Sequence, residues 1–216
     1  MTNATPGSAP AGRPEKRAAI VAAAMAVFGR EGYARASMDA IAAQAGVSKR
    51  TVYNHFSDKE TLFLSVALET SGALTERIGE LAARRLDDVT DLRADLIAFA
   101  ADRAREVVGA GDHAALGRAI RAEAGNIPPE ALRAWEEAGV VAALRDQEVR
   151  LRRLADEGHL VVEDAGLAAE HFMLLTFHGV ADRSYWGTFP IDDAEIVRIA
   201  TTGVDAFLKI YGAAAG

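Results

Sequence analysis

Apolar side chains recur at helical spacing along nearly the whole chain. Ile20, Ala24, Val27 and Phe28 fall at i, i+4, i+7 and i+8, one face of an amphipathic helix that stops near Gly32. Met38, Ile41, Ala42 and Ala45 repeat at i, i+3, i+4 and i+7, which predicts a short second helix. Ser37 is its N-cap and Gly46 its C′ residue. Ser48 caps a third helix that reaches about Phe56. Ser57 and Glu60 form a capping box for a fourth that runs into the low 80s. Further helices are expected at about 91–108, 113–124, 128–157, 164–187 and 192–211. Thr90, Asp112, the Pro128-Pro129 pair, Asp164 and Asp192 mark their starts. Gly139 is placed to interrupt the long 128–157 segment. β-Branched alternation is nearly absent, so the pattern predicts an all-α fold of about nine helices.

Composition narrows the class. A chain of 216 residues buries roughly 70% of its unfolded surface and needs no metal or disulfide staple. Residues 1–14 are rich in Pro, Gly, Ala, Ser and Thr and are expected to form a disordered arm. Residues 15–60 are expected to form a small helical head, and 61–216 a larger helical body. There is no cysteine, which excludes thiolate zinc sites, iron–sulfur clusters, disulfides and thiol nucleophiles. No run approaches the ~18 apolar residues of a membrane span. The start has no apolar signal-peptide core, and a cytoplasmic location is expected. The sequence contains no P-loop, GxGxxG, HExxH or GxSxG motif and no clustered metal ligands. No enzyme activity, cofactor or metal is expected.

The net charge of −7 hides an asymmetry. Residues 1–60 carry eight Lys or Arg and five Asp or Glu, a balance of +3, and the remainder carries −10. A basic head on an acidic body points to two parts with different partners.

Residues 38–59, MDAIAAQAGVSKRTVYNHFSDK, combine a short helix, a glycine turn and a second short helix. Gly46 tolerates the positive φ that the turn needs. Small Ala42 and Ala45 let the helices approach, and Val47, Val52 and Phe56 anchor the second helix. At about 100° per residue, Lys49, Arg50, Tyr53 and Asn54 share one arc, opposite Val52 and Phe56. Arg or Lys suits guanine O6/N7 and Asn suits adenine N6/N7. No acidic residue lies between Asp39 and Asp58.

On these residues the stretch 18–66 resembles the DNA-binding domain of TetR-family transcriptional regulators. The likeness runs through Phe28, Gly32-Tyr33, Ile41-Ala42, Ala45-Gly46-Val47-Ser48, Thr51-Val52-Tyr53, His55-Phe56, Lys59-Glu60 and Leu62. It implies base contacts from Lys49, Arg50 and Asn54. It implies phosphate contacts from Ser37, Ser48, Thr51, Tyr53, His55 and Lys59, with local capping an equal alternative for His55. Asp39 is an acid where some relatives aim a cation or hydroxyl at DNA, and is read as dipole compensation. Arg13, Lys16 and Arg17 either add groove or phosphate contacts or belong to a solvated tail.

A single head reads few base pairs, so helix-turn-helix proteins usually dimerise. The resemblance implies a homodimer formed through 164–187 and 192–211, a double-stranded DNA operator with palindromic half-sites, and a small-molecule effector that releases it. The stretch 121–139 resembles the C-terminal domain of the AcrR/AefR-like branch. Phe99, Arg103, His113, Arg121, Trp135, His171, Phe172, Leu175 and His178 are the candidate pocket residues. Trp135 is read as core or interface ahead of pocket. Arg150, Arg152 and Arg153 stand four residues from acids and read as a solvated, ion-paired face. An effector-independent DNA-binding protein and a helical enzyme with a DNA-binding head are the competing readings.

Overall fold

In a computed structural model of the chain, residues 12–213 are described. Their elements are α1 (Arg13–Arg35), α2 (Met38–Gln44), α3 (Lys49–Tyr53), α4 (Lys59–Leu86), α5 (Leu92–Gly109) and α6 (Asp112–Ala122). A short 3-10 turn leads to α7 (Pro129–Glu136), a π-helical turn (Glu137–Val141) and α8 (Ala142–Asp156). Then come α9 (Ala165–Arg183) and α10 (Asp193–Tyr211). The π turn joins α7 and α8 into one bent rod, so nine helical rods make up the described residues. An isolated bridge, Leu160 to Gly212, is the only β pairing among them.

The caps explain the starts. Ser37 accepts from the Ala40 N–H, Ser48 from Thr51, and Asp164 from Leu167. Two starts differ from the sequence expectation because a carboxylate competes with a hydroxyl. Asp58, not Ser57, caps α4 by accepting from the Thr61 N–H at 2.7 Å, while the Ser57 hydroxyl donates to Asp58. Asp91, not Thr90, caps α5. Gly111, not Asp112, is the N-cap of α6. Helix α1 continues to Arg35 but breaks at Gly32, whose φ is 80°. The third helix ends at Tyr53, about one turn before Phe56. The expected interruption near Gly139 is the π turn, where the Thr75 hydroxyl donates to the Ala138 carbonyl at 3.0 Å. The disordered arm expected at 1–14 lies outside the described residues as far as residue 11, whereas Arg13 and Pro14 are helical.

Two cores organise the helices. One gathers Ile20, Phe28, Ile41, Val52 and Phe63 from the first four helices and is completed by Leu116, Ile120 and Ala131 from α6 and α7. The other gathers Phe99, Phe172, Phe177 and Phe207 from α5, α9 and α10. Each fully buried Phe contributes roughly 1.5–3 kcal/mol. Helix α4 enters both clusters, so a boundary at residue 60 falls in the first turn of a shared helix. No helix among the described residues is long and apolar enough to cross a membrane.

Candidate nucleic-acid interface and the cavity behind it

Helix α3 is pinned by fully buried Val52 and by Phe56. That leaves Lys49, Arg50, Tyr53 and Asn54 on the exposed side. Ser48 and Thr51 bond to each other at 2.8 Å across its first turn. Arg13, Lys16, Thr51, Asn54 and His55 line one shallow groove beside it. Five contributors without a carboxylate give this groove a basic surface suited to a phosphate backbone. Arg17 is held elsewhere. It pairs with Glu69 at 2.5 Å and lies over the Phe56 ring, so it braces α1 against α4.

Two charged side chains have partners that the sequence did not suggest. Asp39 forms an ion pair with Lys49 at 2.8 Å, and this hydrogen-bonded pair raises the Lys49 pKa. Asp39 therefore restrains a base-reading candidate as well as sitting in the first turn of α2. The Lys59 ammonium donates to the carbonyls of Tyr33 (2.9 Å), Ala34 (3.3 Å) and Ala36 (3.2 Å) and lies 4.6 Å from the Tyr33 ring centroid. It neutralises the carbonyl end of α1. All its donors are engaged there and none faces outward.

Behind the head, α4, α5, α6, α9 and the π turn enclose a cavity of about 340 Å³. Of the candidate pocket residues, Arg103, His113, Arg121, Trp135 and His178 line it. The other four do not. Phe99 and Phe172 are stacked in the core at 6.1 Å between centroids. His171 bonds the Tyr211 hydroxyl at 2.7 Å. Leu175 packs against the core, its carbonyl beside Gly203, where a Cβ would overlap it. The sequence reading missed Ser71, Leu74 and Ile78 on α4 and Met173, Phe177 and Trp186. Apolar residues on the inner face of a helix look alike whether they meet a neighbour or a void. Trp186 lies past the end of α9 in a turn where it and Tyr185 both take positive φ, 54° and 47°. Gly187 beside it was the available sign of a turn.

The polar groups of the cavity are few. Arg103 is buried, and desolvation lowers its pKa to about 10. Arg121 lies at the exposed rim between two indoles, 5.1 Å from the Trp135 centroid and 3.9 Å from that of Trp186. Burial also lowers the His113 pKa, which favours its neutral form at pH 7. Such a mainly apolar cavity with a few convergent polar groups has the character of a small-molecule site.

The fold and these two sites define a helix-turn-helix regulator: a small DNA-binding head on a cavity-bearing helical body. Residues 20–66 match the family described as bacterial regulatory proteins, tetR family, and residues 95–213 match the AefR-like transcriptional repressor C-terminal domain. A crystal structure of a TetR-family regulator from Mesorhizobium loti MAFF303099 superposes with a TM-score of 0.84. It is 31% identical, covering 94% of this chain and 100% of that one. The flavonoid-responsive regulator FrrA is 29% identical with a TM-score of 0.68, again over 94% and 100%. The transcriptional activator FasR of Mycolicibacterium smegmatis is 39% identical over 87 residues, 40% of this chain and 40% of FasR. The chain thus spans about two fifths of the length of that curated relative. The chain belongs to the TetR family of DNA-binding transcriptional regulators, which are not enzymes.

Proposed function

We propose that this regulator is a homodimeric repressor that binds a palindromic operator and leaves it when a small molecule fills the cavity. Lys49, Arg50 and Asn54 read bases. Ser37, Ser48, Thr51, Tyr53 and His55, with Arg13 and Lys16 in the groove, hold phosphates. Lys59 acts indirectly, by fixing the end of α1 against α4.

The observation that carries the release mechanism is Leu116. It belongs to the core of the head and also lines the cavity. Helix α6 lies tightly on α1, where a Cβ at Gly29 would sit 3.2 Å from Ala115 Cβ and the Leu116 nitrogen. A ligand that displaces α6 therefore moves α1, and α4 offers a second route from the cavity to Lys59. Packed interfaces of this kind switch between discrete arrangements instead of deforming smoothly. A coupling of about 1–3 kcal/mol is enough to oppose ligand and operator reciprocally.

The dimer reading rests on α9 and α10. Much of the expected apolar stripe of α10 (Ile196, Ile199, Val204, Phe207) is buried within the chain. Leu167, Leu174, Val197 and Ile210 remain exposed on the two helices, a surface that suits a second copy.

The test is selection from genomic DNA. The purified chain should enrich fragments that share an inverted repeat, and footprints should cover two half-sites a whole number of helical turns apart. Enrichment without a shared site contradicts an operator-binding role.

A further inference from the structure

Arg103 is a buried cation with no acid beside it. Its relative exposure is 6%. Its guanidinium donates through Nη1 to Gln147 Oε1 at 3.3 Å and through Nη2 to Thr176 Oγ1 at 3.1 Å, both neutral acceptors. The rings of Phe99, Phe172 and Phe177 surround it, with centroids 5.6–5.8 Å away. Among the described residues no carboxylate pairs with it, although Arg77, Arg85, Arg93 and Arg105 on the surface all have one. A buried charge is costly unless it is paired. At this position the chain keeps a cation and supplies no counter-ion.

The rest of the cavity supplies no counter-ion either. Its lining includes Arg121, His113 and His178 but no Asp or Glu, in a body whose net charge is −10. Ser71, 3% exposed as a residue, lines the same cavity, and its hydroxyl takes part in none of the protein's described hydrogen bonds. A free hydroxyl donor and an unpaired guanidinium facing an apolar void fit one chemistry.

We infer that the effector is a small organic carboxylate. Its apolar body fills the space among Leu74, Ile78, Met173 and Phe177. Its carboxylate meets Arg103, with the Ser71 hydroxyl as a second donor. The inference rests on the cavity being the effector site. The apolar walls disfavour inorganic anions, which have no surface to bury there. The bond to Arg103 is charge-assisted, so a neutral isostere loses it while keeping the apolar contacts.

The experiment is calorimetric titration of the full chain with phenylacetate, 1-naphthylacetate and decanoate, each beside its primary amide, and with inorganic phosphate. At least one acid should bind about tenfold or more tightly than its amide, and phosphate should not bind. In Arg103→Met that preference should fall to about twofold or less, whereas Arg85→Met on the outer surface should keep it. An amide that binds as tightly as its acid overturns the inference while leaving the cavity as an effector site. So does an acid preference that survives in Arg103→Met, because the counter-ion is then elsewhere. If no member of any pair binds, both the carboxylate inference and the effector reading fall. The comparison of acid and amide on the natural chain decides the question even if Arg103→Met does not fold.

Discussion

The Glu123 carboxylate accepts a hydrogen bond from the backbone N–H of Ala34 at 2.9 Å. The residue that caps the end of α6 thereby holds the chain just past the break in α1. Gly32 makes the break possible. Its φ of 80° is in the left-handed region, and a Cβ there would overlap the same carboxylate. Gly32→Ala should lower stability by about 1–3 kcal/mol from the backbone alone, read by urea unfolding. Glu123→Ala removes the overlap but not the φ cost. The double variant should therefore be less destabilised than the sum of the two single changes.

Lys59 is bound to three carbonyls of the α1 end. Lys59→Met should cost about 1.5–3 kcal/mol, as expected for a hydrogen-bonded charged group, visible as a lower melting temperature. DNA affinity should fall with it. The slope of log K against log salt should change by less than one counterion, because the charge is engaged within the protein. A slope that flattens by a full unit would place Lys59 on a phosphate.

How much of this was legible in the sequence depends on range. Ser37, Ser48, Gly46 and the basic arc of α3 act within a few residues, and local spacing revealed them. The Lys59 bonds reach back 23–26 residues and the Arg17–Glu69 pair spans 52, so no local pattern marks them. Trp135 and Arg121 were readable as candidates, but their stack with Trp186 needed a turn that the sequence pattern had read as helix.

Asp39 holds Lys49 on the exposed face of the head. Asp39→Asn should free that cation and remove an acid from the face proposed to meet DNA. Binding to nonspecific DNA should tighten several-fold, with a steeper salt dependence. Equal affinity at low salt would mean that neither residue faces DNA.

Asp58 caps α4, and hydrogen bonds from the Thr61 backbone and from Ser57 and Thr61 hold its pKa below the ordinary 3.8. A carboxyl whose pKa is depressed by folding adds stability above its unfolded pKa and loses it as pH falls through the folded value. The melting-temperature advantage of the natural chain over Asp58→Asn should be full at pH 7 and vanish on acidification below about pH 4. An advantage that persists at pH 2 would exclude the charged cap as its source.

Arg103→Met should leave the ligand-free protein as stable as before or more so, by up to about 4 kcal/mol, because an apolar side chain of similar length avoids burying an unpaired charge. A large loss of stability would make Arg103 a structural brace held by its three phenylalanines.

The central claim is that α3 is the surface that reads DNA. The direct measurement is fluorescence anisotropy of a selected operator fragment titrated with the natural chain and with the double variant Lys49→Ala, Arg50→Ala. The double variant should lose at least about tenfold in operator affinity, and most of its preference over nonspecific DNA should go too. If operator binding is unaltered, the recognition surface lies elsewhere and the account is wrong.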